Sequence, residues 1–341
     1  MLAMCLLLGL VVTPPLGGGE AKVTAKLSPK VYKKWSLMSP AETWTKVGSL
    51  IPIPHAEGKG FAAAKTGPVA LEIDTNADGR YDAKVKGAKG FVTLKGKDAE
   101  GRAFRYGVRI RAKGKGYEFS CSSTMVGKLN GVPIQLLDLN NNGRFDEVGT
   151  DGLIVGKAKG ASFLSKVVNL KGQLFDIEVS ASGREVAASP YEGESGTLDL
   201  RSGFKCKGKL AFVVVSNSAG DISFNLAKAK KGMLVPTGSY RISGGRAVKG
   251  SEHATLAAGQ MADLVVESDA TTKLKWGMPV HAEFEFENNM GEIGVEPVWV
   301  HYMGSAGEEY TKWVPDGASP KLFIKDAKTG KLLESGRFAG C

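Results

Sequence analysis

Cysteine is scarce in this chain: Cys5, Cys121, Cys206 and Cys341 are the only four in 341 residues. No two are close enough for a CxxC redox or zinc site, and so few do not make the dense disulfide framework of small secreted domains. Cys206 and Cys341 can pair if their modules meet, leaving Cys121 as a small buried hydrophobe; inert free thiols are the other reading. Histidine is as rare, at positions 55, 253, 281 and 301, and none belongs to an HExxH pair. There is no GxSxG nucleophile elbow. KGKG at 113–116 lacks the Lys-Ser/Thr ending and βαβ setting of a phosphate loop, and GRAVKG at 245–250 is a basic turn. Paired carboxylates for glycoside hydrolysis do not stand out either, because Glu283, Glu285 and Glu287 share one strand face. Distant residues can still converge in space, so these absences exclude local catalytic motifs and not an enzyme.

Long apolar runs are missing too, with one exception. MLAMCLLLGLVVT opens the chain and is followed by PPLGGGEA. That is the length of a signal-peptide core and too short for a membrane span. It lacks a basic n-region, since the first Lys is Lys22. We read residues 1–21 as a signal peptide, cleaved near Ala21, and expect an extracytoplasmic protein in the periplasm, at the cell surface or secreted. No later segment has transmembrane character.

What the chain does have is glycine, 45 residues without a G-X-Y period, and positive charge, net +10. Glycine at this density suits many short strands joined by tight turns. Charge alone would admit nucleic acid, but no zinc-finger spacing, basic helix or RNP-like aromatic pair accompanies it, so nucleic acid is not an expected partner. Alternating runs follow one another from residue 67: FVTLKG, YGVRIRAKG, YEFSC, VPIQLL, LIVG, SKVVNL and LFDIEV. These predict strands. The expected fold is mostly β: an antiparallel domain over 22–188, then one or two Ig-like β-sandwich modules over 195–269 and 270–341, with SPYEGESG at 189–196 as the boundary. Residues 22–66 are the least legible, and SPAETW there can cap a short helical turn. In PVHAEFEFE, Ala282, Phe284 and Phe286 alternate with His281, Glu283, Glu285 and Glu287, which predicts one packed and one wet face. Residues 201–250 carry ten Lys or Arg against Asp221, whereas 281–300 carry five Glu and no base.

Two nonapeptides carry the clearest chemistry: DTNADGRYD at 74–82 and DLNNNGRFD at 138–146. Each follows an apolar strand. Oxygen side chains recur at positions one, three, five and nine: Asp74, Asn76, Asp78 and Asp82 in the first, Asp138, Asn140, Asn142 and Asp146 in the second. Glycine at position six permits a sharp turn, and position seven, Arg80 or Arg144, offers its carbonyl. Calcium takes six to eight oxygens in flexible geometry, and alternate residues around a tight loop can supply them. Magnesium demands stricter octahedral geometry. An EF-hand needs Glu at position twelve, where the first loop has Val85. Tyr81 is expected to pack beneath the first loop. Counting core carboxylates makes the first loop the stronger site, and Glu147 or Asp151 can compensate in the second. A metal-free Asn/Gly turn capping its own backbone is the competing reading.

The nonapeptides resemble the DxDxDGxxD calcium loops of integrin-type propeller blades and the aspartate loops of thrombospondin type 3 repeats, a likeness of nine residues that implies a calcium turn and neither fold. The run from DLNNNGRFDEVGTDGLIVG to LSKVVNLKGQLFDIEVSASG resembles exported proteins of planctomycete-like envelope bacteria. VPTGSYRI and PKLFIKDAKTGKLLESG resemble strands of transthyretin-like or carboxypeptidase-regulatory-like sandwich modules. These resemblances imply no catalytic residues. Together with the loops they point to an exported, calcium-stabilised structural or interaction protein, with envelope proteins or polysaccharide as partners. A secreted hydrolase or carbohydrate-binding protein with Ig-like accessory modules is the alternative, with Trp276, Trp299 and Trp313 as candidate stacking residues.

Overall fold

A computed structural model describes residues 22–337, except 57, 68–69, 99, 291 and 316–320. The proposed signal segment, Val69 of the first loop's leading strand, Cys5 and Cys341 lie outside the described residues. The chain is mostly β, built from antiparallel sheets with two short parallel pairings. Among the described residues the only helical element is a single 3-10 turn, Pro297–Trp299, which leads into the strand Val300–Met303. No helix among them is long and apolar enough to cross a membrane. SPAETW forms no helical turn; Ser39 instead donates its hydroxyl to Ala41 O.

Four sheets make the first domain. One pairs Val23–Lys26, Glu185–Pro190, Gln173–Val179 and Val167–Leu170 in that order. A second orders Thr45–Lys46, Gly116–Cys121, Ala103–Lys113 and Lys89–Lys97. A third runs Ser162–Phe163, Gly152–Val155, Val132–Leu137, Ser123–Leu129 and Ser28–Val31. The fourth runs Leu50–Ile51, Phe61–Gly67, Ala70–Ile73 and Ala83–Lys86. Their inward residues form one apolar core drawn from Ala25 to Ala188, including Phe61, Leu94, Phe119, Leu136 and Phe175. Burial of each such side chain stabilises by about 1.5–3 kcal/mol. Cys121 lies in this core as a free thiol that burial pushes up to about 12.

The second domain centres on a sheet whose path runs Ser223–Asn225, Lys209–Asn217, Gly238–Lys249, Glu252–Ala257, Glu309–Val314, Val300–Met303 and His281–Phe284. Strands from both sides of residue 270 therefore share one sheet. They also share one core, in which Trp276 and Tyr310 pack with Leu256 and Ile242. The expected boundary at residue 270 falls between strands of this one sheet, because the strand Glu252–Ala257 finds its partner more than fifty residues later in Glu309–Val314. The basic and acidic stretches lie toward opposite ends of that sheet. Its last strand, His281–Phe284, lacks the packed face its alternation predicts: Phe284 is 52% exposed, and Phe286 just beyond it is 59% exposed. Trp276, a candidate stacking residue, is fully buried and donates its indole N–H to Leu200 O at 2.6 Å. Lys321–Lys325 and Leu332–Arg337 form a separate hairpin.

Polar contacts join the domains. Lys166 N donates to Asp221 O, Asn225 Nδ2 to Gly160 O, and Asn169 Nδ2 to Leu234 O. Val167 and Leu174 of the first domain enter the second core. A cleft of about 350 Å³ lies along this junction, with Lys228 its sole charged lining residue.

Candidate metal centre

Both nonapeptides occupy the same topological place. The first joins Ala70–Ile73 to Ala83–Lys86, with Ile73 opposite Ala83. The second joins Val132–Leu137 to Gly152–Val155, with Leu137 opposite Gly152. Each therefore bridges an antiparallel pair whose register is fixed by buried alternate residues. Their backbones also match. Position four is left-handed in both, Ala77 at φ 60° and Asn141 at φ 65°. Position six is left-handed glycine, Gly79 at 84° and Gly143 at 81°. Glycine is needed there because a side chain would be strained.

The leading aspartate organises each turn. Asp74 Oδ2 accepts from Gly79 N at 2.8 Å, and Oδ1 accepts from the amides of Asn76 and Asp78. Asp138 Oδ2 accepts from Gly143 N at 2.6 Å, and Oδ1 from the amides of Asn141 and Asn142. Position five accepts from the amide of position seven: Asp78 from Arg80, Asn142 from Arg144. These bonds tie each turn to its leading aspartate.

The loops then diverge. In the first, Asp82 is engaged by Thr75, whose amide donates to Oδ1 at 2.7 Å and whose hydroxyl donates to Oδ2 at 2.8 Å. Burial pushes its carboxyl up, but those two bonds, a bond to its own backbone and the charge of Lys95 together hold Asp82 below its ordinary value. Asn76 Nδ2 donates to Asp78. Tyr81 does not pack beneath the turn; it is 51% exposed. The first loop is thus closed by its own hydrogen bonds.

The second loop is buried and electrostatically loaded. Phe145, the counterpart of Tyr81, is in the core. Asp138 and Asp151 are both buried. Tyr106 donates its hydroxyl to Asp138 at 2.7 Å. Burial raises Asp138 to about 6 despite that bond and three from backbone amides. Burial likewise raises Asp151, with the charges of Asp138 and Glu147 adding to it, to about 8. Glu147 Oε2 accepts from Asn140 Nδ2 at 2.8 Å and Asn142 Nδ2 at 2.6 Å, while Glu147 N donates to Asp151. The fourteen-residue connection thereby brings Asp138, Asn140, Asn142, Glu147 and Asp151 together. Asp146 is not in this group; it forms a two-bond pair with its neighbour Arg144. Asn140 Oδ1 is buried and accepts no hydrogen bond. A buried acceptor without a partner is costly, about 1–3 kcal/mol, and a cation would satisfy it.

The groups these bonds bring together are the carboxylates of Asp138, Glu147 and Asp151 and the side-chain amides of Asn140 and Asn142. Among the described residues there is no group of three or more His, Cys, Asp or Glu that could hold a metal ion. An ion at this loop would therefore have to draw on amide oxygens as well as carboxylates, donors of the kind calcium takes and zinc does not. Sequence counting favours the first loop; the second differs in having more buried carboxylates, Asp138 and Asp151 against Asp74, and a buried oxygen, Asn140 Oδ1, without a partner among the described residues. Glu147 and Asp151 were legible as nearby acids, whereas the Tyr106 contact, thirty-two residues away in sequence, had no local signal.

Asn141 adds a link outward. Its Oδ1 accepts from Cys121 N at 2.7 Å, and its Nδ2 donates to Thr43 O and Thr45 Oγ1. The loop thus holds the segment before Thr45–Lys46 against the sheet. In that segment Trp35 and Trp44 flank Arg109, 4.8 and 5.3 Å from its guanidinium carbon, and Arg111 lies 4.0 Å from Trp44. Comparison with known families, curated proteins and solved structures finds no match for this chain.

Proposed function

We propose that this chain is an extracytoplasmic structural or interaction protein whose first domain is stabilised by calcium. Its partners on this reading are other envelope proteins or polysaccharide. The observation that carries the metal reading is the second loop, where burial, with neighbouring charges adding at Asp151, raises the carboxyls of Asp138 and Asp151, and the amide oxygen of Asn140 is buried without a partner. Calcium would be held by Asp138, Asn140, Asn142, Glu147, Asp151 and the Arg144 carbonyl, and would neutralise charges that burial disfavours. The first loop is the weaker site on this reading, because Asp82 is already bonded to Thr75. Export rests on the apolar leader and suits the metal: outside the cell even a site of about 10⁻⁴ to 10⁻³ M class is filled.

The test is calorimetric titration of the purified protein with calcium and with magnesium, paired with melting in chelator. One dominant calcium site, weakened by Glu147→Gln and little affected by Asp82→Asn, supports the reading. A heat of binding that survives Glu147→Gln and vanishes with Asp82→Asn assigns the ion to the first loop instead. Mass spectrometry of protein from its native host tests export: a mature chain starting near Lys22 is expected, and abundant protein retaining residues 1–20 contradicts it.

A further inference from the structure

A second concavity lies wholly within the second domain, and neither Asp/Asn loop contributes to it. Its volume is about 480 Å³, within the range of small-molecule sites. Val248, Met278, Tyr310 and Trp313 make its walls mainly hydrocarbon. A sugar would lose water from its hydroxyls there without recovering enough hydrogen bonds, so the lining selects an apolar body.

Trp313 is placed by irregular backbone. Strand Glu309–Val314 pairs with Glu252–Ala257, but the register slips by one residue between His253/Val314 and Thr255/Thr311. Within this bulge Lys312 adopts φ 47°, an uncommon conformation for a residue other than glycine. Bulges of this kind re-aim a side chain. Here the indole stacks on Tyr310 at 5.8 Å and 19°, meets Tyr302 edge-on at 6.0 Å, and remains 40% exposed. The groove thus has a rigid aromatic wall that is not consumed by the core.

The rim supplies charge. Lys207 and Lys249 are exposed on the lining and make no ion pair among the described residues. Glu252 is the sole carboxylate on the lining, so the rim is net positive. We propose that this groove binds a free long-chain carboxylate, a fatty-acid-class ligand, with its chain against Val248, Met278 and Trp313 and its head group paired with Lys207 and Lys249. Charge-assisted bonds of that kind are roughly twice as strong as neutral ones. The site is concave, which favours a free ligand over a bilayer surface.

Calorimetry on the full chain tests this with dodecanoate below its micellar concentration, dodecanol, cellobiose and phosphatidylglycerol vesicles. One dodecanoate per chain is expected, with dodecanol at least tenfold weaker. Lys207→Gln/Lys249→Gln, at exposed positions that leave the core intact, is expected to weaken dodecanoate at least tenfold and leave dodecanol unchanged. Trp313→Ala is expected to weaken both. Absence of dodecanoate binding, equal affinity for the neutral alcohol, indifference to the lysine pair, or binding only to vesicles or cellobiose would each overturn the proposal. None of these readouts depends on calcium.

Discussion

Asp138 and Asn140 separate what the second loop needs as a turn from what it would need as a metal site. Asp138→Ala leaves the buried Tyr106 hydroxyl and the amides of Asn141 and Gly143 without their acceptor. Each such loss costs about 1–3 kcal/mol, so a drop of more than about 3 kcal/mol is expected with or without calcium. Asn140→Ala removes a single bond to Glu147 together with the orphaned oxygen. It is expected to cost less than about 1 kcal/mol in chelator and to abolish most of the calcium response. Urea unfolding of both variants in EDTA and in calcium checks the pair; a calcium response intact in Asn140→Ala contradicts the assignment. The raised carboxyls give a pH signature. Asp138 at about 6 and Asp151 at about 8 hold protons in the fold that the unfolded chain releases near 3.8. Between about pH 4 and 8 the folded state binds more protons, so stability in chelator falls as pH rises. Calcium is expected to flatten that slope, and stability that rises over this window in chelator would contradict it. The alternating oxygens and the glycine made this loop legible in the sequence. The opposite fates of Tyr81 and Phe145 at the same position were not legible. Phe145 N bonds to Ala181 O, and its ring packs where Gly183 leaves room, contacts that no local pattern encodes.

At the scale of elements, strands were the readable part. VPIQLL is the strand Val132–Leu137, YEFSC falls in Gly116–Cys121, and LFDIEV in Gln173–Val179. Their alternation breaks where both faces are covered: Leu136 lies in the first core and Leu137 in a smaller cluster beside it, and Phe175 lies in the first core and Leu174 in the second. The alternation in PVHAEFEFE misled because its strand ends the sheet, where Phe284 and Phe286 stay exposed. The segment preceding Thr45–Lys46 was unreadable because its order comes from distant partners: Asn141, Arg109 and Arg111. Asn141→Gly keeps a left-handed backbone accessible but deletes all three side-chain bonds. Hydrogen exchange at the amides of Lys46 and Val47 is expected to accelerate at least tenfold in that variant, while exchange in Gly238–Lys249 stays unchanged. Uniform acceleration across both domains would mean that Asn141 supports the whole fold instead of this segment.

For the whole molecule, two large cores meet at a junction crossed both by polar bonds and by the apolar side chains of Val167 and Leu174, and the second is assembled across residue 270. All its buried residues except Val167 and Leu174 come from beyond residue 190. A fragment of residues 191–341 is therefore expected to melt cooperatively, below the temperature of the intact chain. A fragment ending at residue 269 loses Trp276, Tyr310 and the strand Glu309–Val314, and is expected to show no near-UV dichroism. A cooperative transition in the shorter piece would restore a boundary at 270. The central claim, that the second Asp/Asn loop holds calcium and the first domain depends on it, is tested most directly by scanning calorimetry of the intact protein. A hundredfold excess of calcium over its dissociation constant should add about 2.7 kcal/mol. The melting temperature should fall in EDTA, recover with calcium more than with magnesium, and stop responding in Glu147→Gln. Identical melting with and without chelator, together with no heat on calcium addition at millimolar concentration, would leave both loops as metal-free turns.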